Sequence, residues 1–367
     1  MEDDLPQFLI LPLVQPDQDD EINTDKIREL TSNGLDHTEP EDRCVAWLVL
    51  LDIYPHFARK WPSVLEELVS LYETYVECFK IKDWENKHLN IYINDNEIFN
   101  LPNNTMMGQI HSDLVRTRRN IIILPIEEPD DGQPKGSFSH FETHLRRLER
   151  ILYILGNVNQ NIQYMQGFNE LIMPFYYTLY CAKSLFKNEF VIEALTFHCL
   201  HQLLSYTELK DLFTTDDKSS IILSKLNDFD NILSSHCSLA NKVINDEFHI
   251  PHTNYCFRWF VLMFSQEFEM EVLQQVWDAL FTHFDDLVNF EFYIGCAKVE
   301  LVQNDLIGKD YAETLELLQN IEIPNINQLL NKANEWWKKD HDPSLINVVA
   351  FKVSSAVKGL FTKLTKE

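Results

Sequence analysis

Glycine is scarce in this chain: only nine of its 367 residues are Gly. Sheet-rich folds need more of it at their turns, and so do the loops that cradle phosphate groups. Leu, Ile, Glu and Lys are abundant, which favours helices. Apolar residues make up 45% of the chain, which excludes a disordered protein and allows a sizeable core. The composition therefore predicts an all-α protein.

Long apolar runs and paired cysteines are also missing. No uninterrupted apolar stretch approaches the length of a membrane span. The N-terminus lacks the basic-then-apolar pattern of a secretion signal. The seven cysteines are scattered and never form a CxxC pair, which is typical of reduced thiols. We therefore expect the protein in the cytoplasm.

The short motifs of common catalytic sites are absent. The chain contains no GxxxxGK[ST], GxGxxG, GxSxG or HExxH. His198 and His201 have helical spacing but no nearby carboxylate or thiolate partner, and the Glu between His140 and His144 is one place off the zinc-protease pattern. Ordinary core or surface histidines are the better interpretation, and a metal-dependent hydrolase is the weakest alternative. We expect no metal or cofactor bound by the chain itself.

Basic residues are too few to balance the acidic ones, and the formal charge is −26. Such a chain is a poor partner for nucleic acid, because phosphate neutralisation needs clustered Lys and Arg. The charge is unevenly distributed. Residues 1–22 are acidic and spaced by prolines, which predicts a loosely held, flexible arm. Residues 343–367 are basic.

Apolar residues recur at helical spacing through residues 23–338, which we interpret as one domain. Residues 82–107 are rich in Asn and Asp and residues 125–137 have the composition of a linker, so both are predicted to be insertions. A short helix is predicted at 108–118 and a single longer one at 253–265. Residues 121–124 have the composition of a strand, although no nearby segment is a convincing partner.

One candidate site is the predicted helix that carries Arg116. Ile110, Asp113 and Thr117 share one face of it. Arg116 lies about 100° or more from that face, so its side chain can project away from the packed surface. Asp113 precedes Arg116 by one helical turn and can orient its guanidinium. Taken alone, the pattern also fits an ordinary exposed helix with one Asp–Arg pair.

A second candidate site is the loop-to-helix corner at Gln166. The segment runs Tyr164-Met-Gln166-Gly167-Phe-Asn169-Glu170. Gly167 permits a turn or a close backbone approach, and Asn169 can cap the following helix. A Gln held at such a corner can present its amide to a ligand. Taken alone, the segment also fits a tight helix connection with an incidental Gln.

In combination the two patterns are specific. An IxxDxxR at 110–116, followed about fifty residues later by a YxQGxNE at 164–170, resembles the TBC family of Rab GTPase-activating proteins. Two flanking blocks agree with this resemblance. Gly34, Arg43 and Trp47 are similar to the opening block of the family, and residues 257–281 are similar to its late block.

The resemblance covers residues 24–337 in family order and is greatest to members in which this domain fills nearly the whole chain. It implies a V-shaped all-helical domain of two subdomains that acts on a GTP-bound Rab-type GTPase in vesicle trafficking. It further implies that Arg116 is an arginine finger and Gln166 a glutamine finger, both supplied in trans. The residues implied to support them are Asp113, Tyr164, Gly167 and Ile110. GTP and Mg²⁺ would be bound by the partner GTPase.

The sequence departs from the family pattern at several positions. Phe168 replaces the usual Met, Gln163 replaces a common Gly, and Arg118-Arg119 replaces a Pro-containing turn. None of these changes removes a finger. The alternative from a different functional class is a non-catalytic helical module that binds a small GTPase or serves as a scaffold. Such a module would have no reason to retain both fingers.

The basic segment 343–367 is amphipathic when read as a helix. Its apolar face contains Val349, Val353 and Leu360, and Lys352 and Lys358 lie on the other face. One interpretation is peripheral contact with an anionic membrane, which would place the protein on endomembranes. The favoured alternative is that the apolar face packs on the domain.

Overall fold

The computed structural model describes residues 8–14, 21–84, 101–126, 138–158, 162–207, 209 and 221–342. These residues form helices joined by turns, with no strand among them, which confirms the all-α prediction. The α-helices are α1 Thr24–Thr31, α2 Pro40–Leu50, α3 Trp61–Cys78, α4 Asn104–Arg116, α5 Arg118–Ile121, α6 Glu142–Val158, α7 Phe168–Cys181, α8 Glu189–Tyr206, α9 Ile221–His236, α10 Ser238–Asn241, α11 Phe257–Val261, α12 Met270–Phe281, α13 Leu287–Glu300, α14 Tyr311–Gln319 and α15 Ile326–Asp340. Short 3₁₀-helices lie at Leu11–Leu13, Ala58–Lys60, Phe138–Phe141, Lys183–Leu185, His252–Asn254 and Phe284–Asp286, and a π-helix at Lys242–Glu247.

The described residues form two compact units. The first contains those up to Ser224 together with Cys256–Val288, and the second contains Lys225–Tyr255 and residues 289–342. Both candidate sites lie in the first unit. None of the helices in the described ranges combines the length and the hydropathy needed to cross a membrane.

Helix α7 is at the centre of the first unit, and nearly all of its residues are buried. The ring of Phe175 on α7 lies with its centroid 5.0 Å from that of Trp277 and 5.8 Å from that of Phe281, both on α12. Trp47 on α2 is 5.1 Å from Phe281. Buried aromatic pairs of this kind contribute area burial and an additional ~0.5–1.5 kcal/mol each. This cluster fixes α7, and therefore the loop that precedes it.

The opening and late sequence blocks meet at the buried carboxylate of Asp278 on α12. It accepts hydrogen bonds from the backbone N–H of Leu35 at 2.8 Å, from Nε1 of Trp47 at 2.7 Å and from Nε of Arg43 at 3.1 Å. Burial raises the pKa of Asp278, although Arg43 and these donors oppose the shift. Gly34 precedes Leu35 with a left-handed φ of 85°. The residues of the two blocks are therefore parts of one packing arrangement.

A buried charged network joins α4 to α6. The carboxylate of Glu149 contacts Nδ1 of His111 on α4 at 2.6 Å, and it accepts hydrogen bonds from Nη1 of Arg146 at 2.5 Å and Nε1 of Trp84 at 2.9 Å. Burial raises the pKa of Glu149, but Arg146 and His111 outweigh it and hold the pKa below its ordinary value. Because a paired buried carboxylate is costly to disrupt, the network fixes the position of α4.

Part of the arm predicted at residues 1–22 is anchored rather than flexible. Residues 8–14 form a turn and a short helix, and Ile10 and Val14 are buried. The buried carboxylate of Asp42 accepts hydrogen bonds from the backbone N–H groups of Ile10 at 3.1 Å and Leu11 at 2.8 Å, and also from that of Leu9. For residues 8–14 the expectation of a flexible arm does not hold, because composition does not reveal a distant acceptor. Residues 1–7 and 15–20 lie outside the described ranges.

Helix boundaries differ from the predictions at three places. Helix α4 begins at Asn104, so it includes the end of the insertion predicted at 82–107. The strand-like run at 121–124 is instead the end of α5 and a turn. The single helix predicted at 253–265 stops at Val261, because Met263 and Phe264 adopt left-handed φ angles of 46° and 61°. Most of the two predicted insertions (85–100 and 127–137) and all of the predicted tail helix (343–367) lie outside the described residues.

The second unit has its own aromatic core. Trp337 on α15 packs edge-on against Phe290 and Tyr293 of α13, with centroid distances of 5.5 and 5.3 Å. Phe229 on α9 contacts Phe292 at 6.0 Å. One fully buried carboxyl in this region, that of Glu291, has no hydrogen-bond partner among the described residues.

Candidate functional site

The C-terminal end of α4 presents Arg116 to solvent. Ile110, Asp113 and Thr117 are buried on the packed face of the helix, whereas the side chain of Arg116 is 72% exposed. This is the arrangement that their spacing predicts. Arg116 is the last residue of the helix, and its side chain reaches back one turn to Asp113 while most of it stays in contact with solvent. A permanently charged guanidinium is therefore available for a ligand or partner.

Asp113 orients the exposed arginine. Its Oδ1 accepts a hydrogen bond from Nη1 of Arg116 at 3.2 Å, and its Oδ2 accepts one from the hydroxyl of Tyr164 at 3.0 Å. Burial raises the pKa of Asp113, while the Tyr164 hydrogen bond and Arg116 oppose that shift. Burial and the neighbouring Asp113 raise the pKa of Tyr164, so its hydroxyl stays a donor. The carboxylate therefore links α4 to the loop that carries Gln166.

The Gln166 loop turns sharply at Gly167. Gly167 has a left-handed φ of 113° and is the N-cap residue of α7. A side chain at such a φ would be strained, which explains the need for Gly here. Gln166 is exposed and makes no hydrogen bond with another described residue. The corner therefore leaves its amide free to act on a partner.

Asn169 has a different role from the helix cap that the sequence suggests. Its Oδ1 accepts a hydrogen bond from the backbone N–H of Gly167 at 3.0 Å, and its Nδ2 donates to Oγ1 of Thr117 at 2.7 Å. The cap prediction is wrong, since Gly167 occupies the N-cap position and the side chain of Asn169 points back across the loop. Asn169 thereby joins the glutamine loop to the end of α4.

Glu170 is a site residue that the sequence motif contains but to which sequence reasoning assigned no role. Its Oε2 accepts a hydrogen bond from Nδ2 of Asn120 at 3.4 Å, and its Oε1 accepts one from Nε2 of Gln266 at 3.2 Å. Gln266 follows the left-handed turn at Met263 and Phe264, a turn that no glycine marks in the sequence. The partners of Glu170 become visible only in the folded chain.

Arg116 and Gln166 line the same cleft of about 700 Å³. Two further arginines line it: Arg119, and Arg258, whose Nη2 lies 2.7 Å from Oε1 of Glu267. Three arginines at one cleft are notable in a chain of formal charge −26. The cleft therefore suits an acidic or phosphate-bearing partner.

The histidine pairs have ordinary structural partners. His198 Nε2 lies 2.9 Å from the carbonyl oxygen of Leu68, and burial lowers the pKa of His198 to about 4. His144 lies 2.9 Å from the Tyr176 hydroxyl and 2.8 Å from the Pro125 carbonyl oxygen. Within the part of the chain that the structure describes, no group of three or more His, Cys, Asp or Glu side chains is arranged to hold a metal ion.

The sequence profile of the RabGAP-TBC family, described as the Rab-GTPase-TBC domain, matches residues 41–307. The chain belongs to this family. The matched region contains both candidate sites and the Asp278 network, except for Leu35 and Gly34. The resemblance found in the sequence motifs is therefore confirmed. The predicted domain at 23–338 is wider than the matched region and stays a prediction at its two ends.

Curated relatives agree with the family assignment. TBC1 domain family member 13 of Homo sapiens is 25% identical over 382 residues, which cover 86% of this chain and 94% of that protein. GTPase-activating protein gyp7 of Schizosaccharomyces pombe is 26% identical over 267 residues, which cover 71% of this chain and 31% of that protein. Similarity to the first extends over nearly the full length of both proteins.

A solved structure has the same fold. The chain is similar to the crystal structure of the Ypt/Rab-GAP domain of Gyp1p, with a TM-score of 0.65 and 20% identity, covering 89% of this chain and 95% of that one. At this identity the likeness shows the all-α RabGAP-TBC fold alone. The roles of the site residues therefore rest on the geometry of the cleft.

Proposed function

We propose that this chain accelerates GTP hydrolysis on a GTP-bound Rab-type small GTPase by supplying Arg116 and Gln166 in trans. The observation that carries the proposal is that two exposed polar side chains line one cleft, with Arg116 oriented by the buried Asp113 and Gln166 placed by the turn at Gly167. Family membership and the name of the gyp7 relative, a GTPase-activating protein, support the same activity.

Arg116 has the chemistry that phosphoryl transfer requires. Negative charge spreads over the transferring phosphoryl group in the transition state, and a planar guanidinium stabilises it through directed hydrogen bonds. An arginine supplied in this way contributes on the order of 10³–10⁵ in rate, or about 4–7 kcal/mol of transition-state stabilisation. Asp113 contributes by limiting the orientations of the guanidinium before the partner binds.

Gln166 has the chemistry needed to orient the nucleophile, which is the attacking water. A carboxamide both donates and accepts hydrogen bonds, so it can orient the attacking water relative to the phosphorus. GTP and Mg²⁺ belong to the partner GTPase in this proposal. The chain therefore needs only to supply the two side chains and a surface that fits the partner.

The test is single-turnover GTP hydrolysis across a panel of GTP-loaded Rab proteins. Wild type is compared with Arg116→Ala, Arg116→Lys and Gln166→Ala. Arg28→Ala is the matched control, because Arg28 also lies in the last turn of a helix and pairs with an Asp three residues earlier, at 3.6 Å, but does not line the cleft. We expect wild type and Arg28→Ala to accelerate one or a few of the Rab proteins equally.

Arg116→Ala and Arg116→Lys should abolish the acceleration, because Lys lacks the planar fork. Gln166→Ala should weaken it severely. If GTP-loaded Rab proteins bind wild type but none is accelerated, the chain is instead a non-catalytic binding module or scaffold. Full activity of Arg116→Ala would contradict the arginine role directly.

Residues 343–367 supply a separate proposal, argued from sequence alone because they lie outside the described residues. Their basic amphipathic pattern fits two interpretations: packing of the apolar face on the domain, which is favoured, and peripheral contact with endomembranes. Deletion of 343–367 separates the two. Loss of binding to vesicles that contain phosphatidylserine supports the membrane contact. Unchanged vesicle binding with a lowered melting temperature supports packing.

A further inference from the structure

One buried side chain connects the two proposed fingers. The backbone N–H that follows Gln166, that of Gly167, donates to Asn169, and Asn169 donates to the hydroxyl of Thr117, the residue that follows Arg116. Asn169 is 5% exposed and Thr117 is 1% exposed. Each finger therefore lies immediately before one end of the same hydrogen-bonded bridge.

An amide side chain fits the chemistry of the bridge. The N–H of Gly167 can only donate, so the oxygen of Asn169 must face it, which leaves the NH₂ group for Thr117. The Thr117 hydroxyl accepts this bond, and its one proton has two acceptors within reach, the carbonyl oxygen of Asp113 at 3.1 Å and Oε1 of Glu170 at 3.4 Å. In the buried setting every group of the bridge has a partner, and loss of one leaves another unpaired.

We propose that Asn169 is a positioning residue that sets the separation of Arg116 and Gln166 before the GTPase binds. This inference rests on the proposed function. The bridge uses different atoms from the contact between Asp113 and Tyr164, since it runs from the Gly167 N–H to the Thr117 hydroxyl and does not involve the Asp113 carboxylate. The Asn169 bridge and the hydrogen bond between Asp113 and Tyr164 attach the loop to α4 at two different points. Together they restrict both the translation and the rotation of the loop relative to α4.

The bridge is tested by removing one partner at a time. Thr117→Val keeps the volume and removes the hydroxyl, Thr117→Ser restores it, and Asn169→Ala removes both hydrogen bonds. Displacement of reacting groups by about 1 Å can cost on the order of 100-fold in rate. We therefore expect Thr117→Val to lower the maximal single-turnover rate roughly 10–100-fold, with Asn169→Ala lower still and Thr117→Ser near wild type. The protein concentration that gives half-maximal acceleration should stay within about twofold of wild type, since uniform binding is not altered.

A matched control separates positioning from general destabilisation. Thr196 is fully buried and donates to the carbonyl oxygen of Ile192 four residues earlier at 2.7 Å, but makes no bridge to the loop. Thr196→Val should lower stability without changing the maximal rate. In a Gln166→Ala background, Asn169→Ala should cost less than about threefold further, because residues that act as a unit are non-additive.

Hydrogen exchange on the full chain alone provides a readout that needs no GTPase. Asn169→Ala should speed amide exchange in peptides covering 110–118 as well as 164–168, and Thr196→Val should leave both unchanged.

If wild type accelerates a Rab protein and Thr117→Val and Asn169→Ala match it, the inference is overturned and the proposed function stands. Exchange that changes only in 164–168 also overturns it. If wild type accelerates no Rab protein, the proposed function fails and the positioning role fails with it.

Discussion

The hydroxyl of Tyr164 lies 3.0 Å from Oδ2 of Asp113, and the other oxygen of the same carboxylate holds Arg116. The tyrosine is buried and the arginine is exposed, and the Asp113 carboxylate lies between them. A fixed side chain of the core thereby limits the orientations of a cation at the surface. Four consequences of the packing around the site and in the core can be measured.

Tyr164→Phe should shift the acid limb of the activity profile. Asp113 holds Arg116 only when it is ionised, which requires a pH above its pKa, and burial already raises that pKa. Because the Tyr164 hydrogen bond lowers it, removing the hydroxyl raises the pKa of Asp113 further. We expect the single-turnover rate of Tyr164→Phe to fall at a higher pH than that of wild type. Tyr176→Phe is the control: it also removes a buried hydroxyl that is bonded to a side chain, and it should keep the wild-type profile. An acid limb in Tyr164→Phe identical to that of wild type would contradict the role of Tyr164.

Gly34→Ala should destabilise the first unit by more than the backbone strain of a left-handed alanine alone. A Cβ at Gly34 would lie 2.8 Å from Cβ of Gln275 and 3.2 Å from its Cα, so the backbone of α12 must shift. We expect a loss of about 2–4 kcal/mol from overpacking and strain together. Gly308→Ala is the control: its φ of 78° is similar, but nothing lies within 4 Å of the added Cβ, so about 1–2 kcal/mol is expected. Chemical denaturation measures both, and equal losses would exclude the steric contribution.

Asp278→Asn should be strongly destabilising. The carboxylate is fully buried, and Arg43, whose side chain is 13% exposed, would lose its charged partner. Removing one member of a buried pair typically costs about 3–5 kcal/mol. The free energy of unfolding should fall by that order, and the melting temperature with it. Glu29→Gln in the exposed Lys26–Glu29 pair should change neither, and a similarly small effect of Asp278→Asn would show that the network is not required.

Glu291→Gln should remove a pH dependence of stability. Burial raises the pKa of Glu291 well above its ordinary value, and neither oxygen has a hydrogen-bond partner among the described residues. The folded chain therefore keeps a proton that the unfolded chain loses above about pH 4.3. Wild-type stability should decline as pH rises from that value, by up to about 1.4 kcal/mol per unit. Unfolding at pH 5 and pH 8 should show a larger stability gain of Glu291→Gln over wild type at pH 8 than at pH 5; a constant difference would contradict the prediction.

Local patterns predicted much of the candidate site. The spacing of Ile110, Asp113 and Arg116 was sufficient to place two side chains inward and one outward, because helical geometry relates positions three residues apart. A glycine beside Gln166 was sufficient to predict a sharp corner. Both depend on neighbours in the sequence, which is why they could be predicted without the fold.

Side-chain partners could not be predicted in the same way. Asn169 fits a helix cap by its type and position, yet it bridges to Thr117, 52 residues earlier in the chain. The turn at Met263 and Phe264 has no glycine to indicate it, and the backbone conformation is held by contacts such as the 2.9 Å hydrogen bond from Nε1 of Trp277 to the Met263 carbonyl oxygen. Asp42 gave no indication that it anchors residues 9–11.

The sequence by itself determined that the chain is helical, which helix faces are buried and, through its ordered motifs, the family. The helical character and the buried faces follow from composition and periodicity, which act over a few residues, whereas the family follows from the resemblance of the motifs and their order. Only the tertiary structure decided that Leu35 and Asp278, 243 residues apart, share a hydrogen bond, and that Arg116 and Gln166 line one cleft. The physical reason is that such contacts depend on how whole helices pack, and many distant side chains together determine that packing.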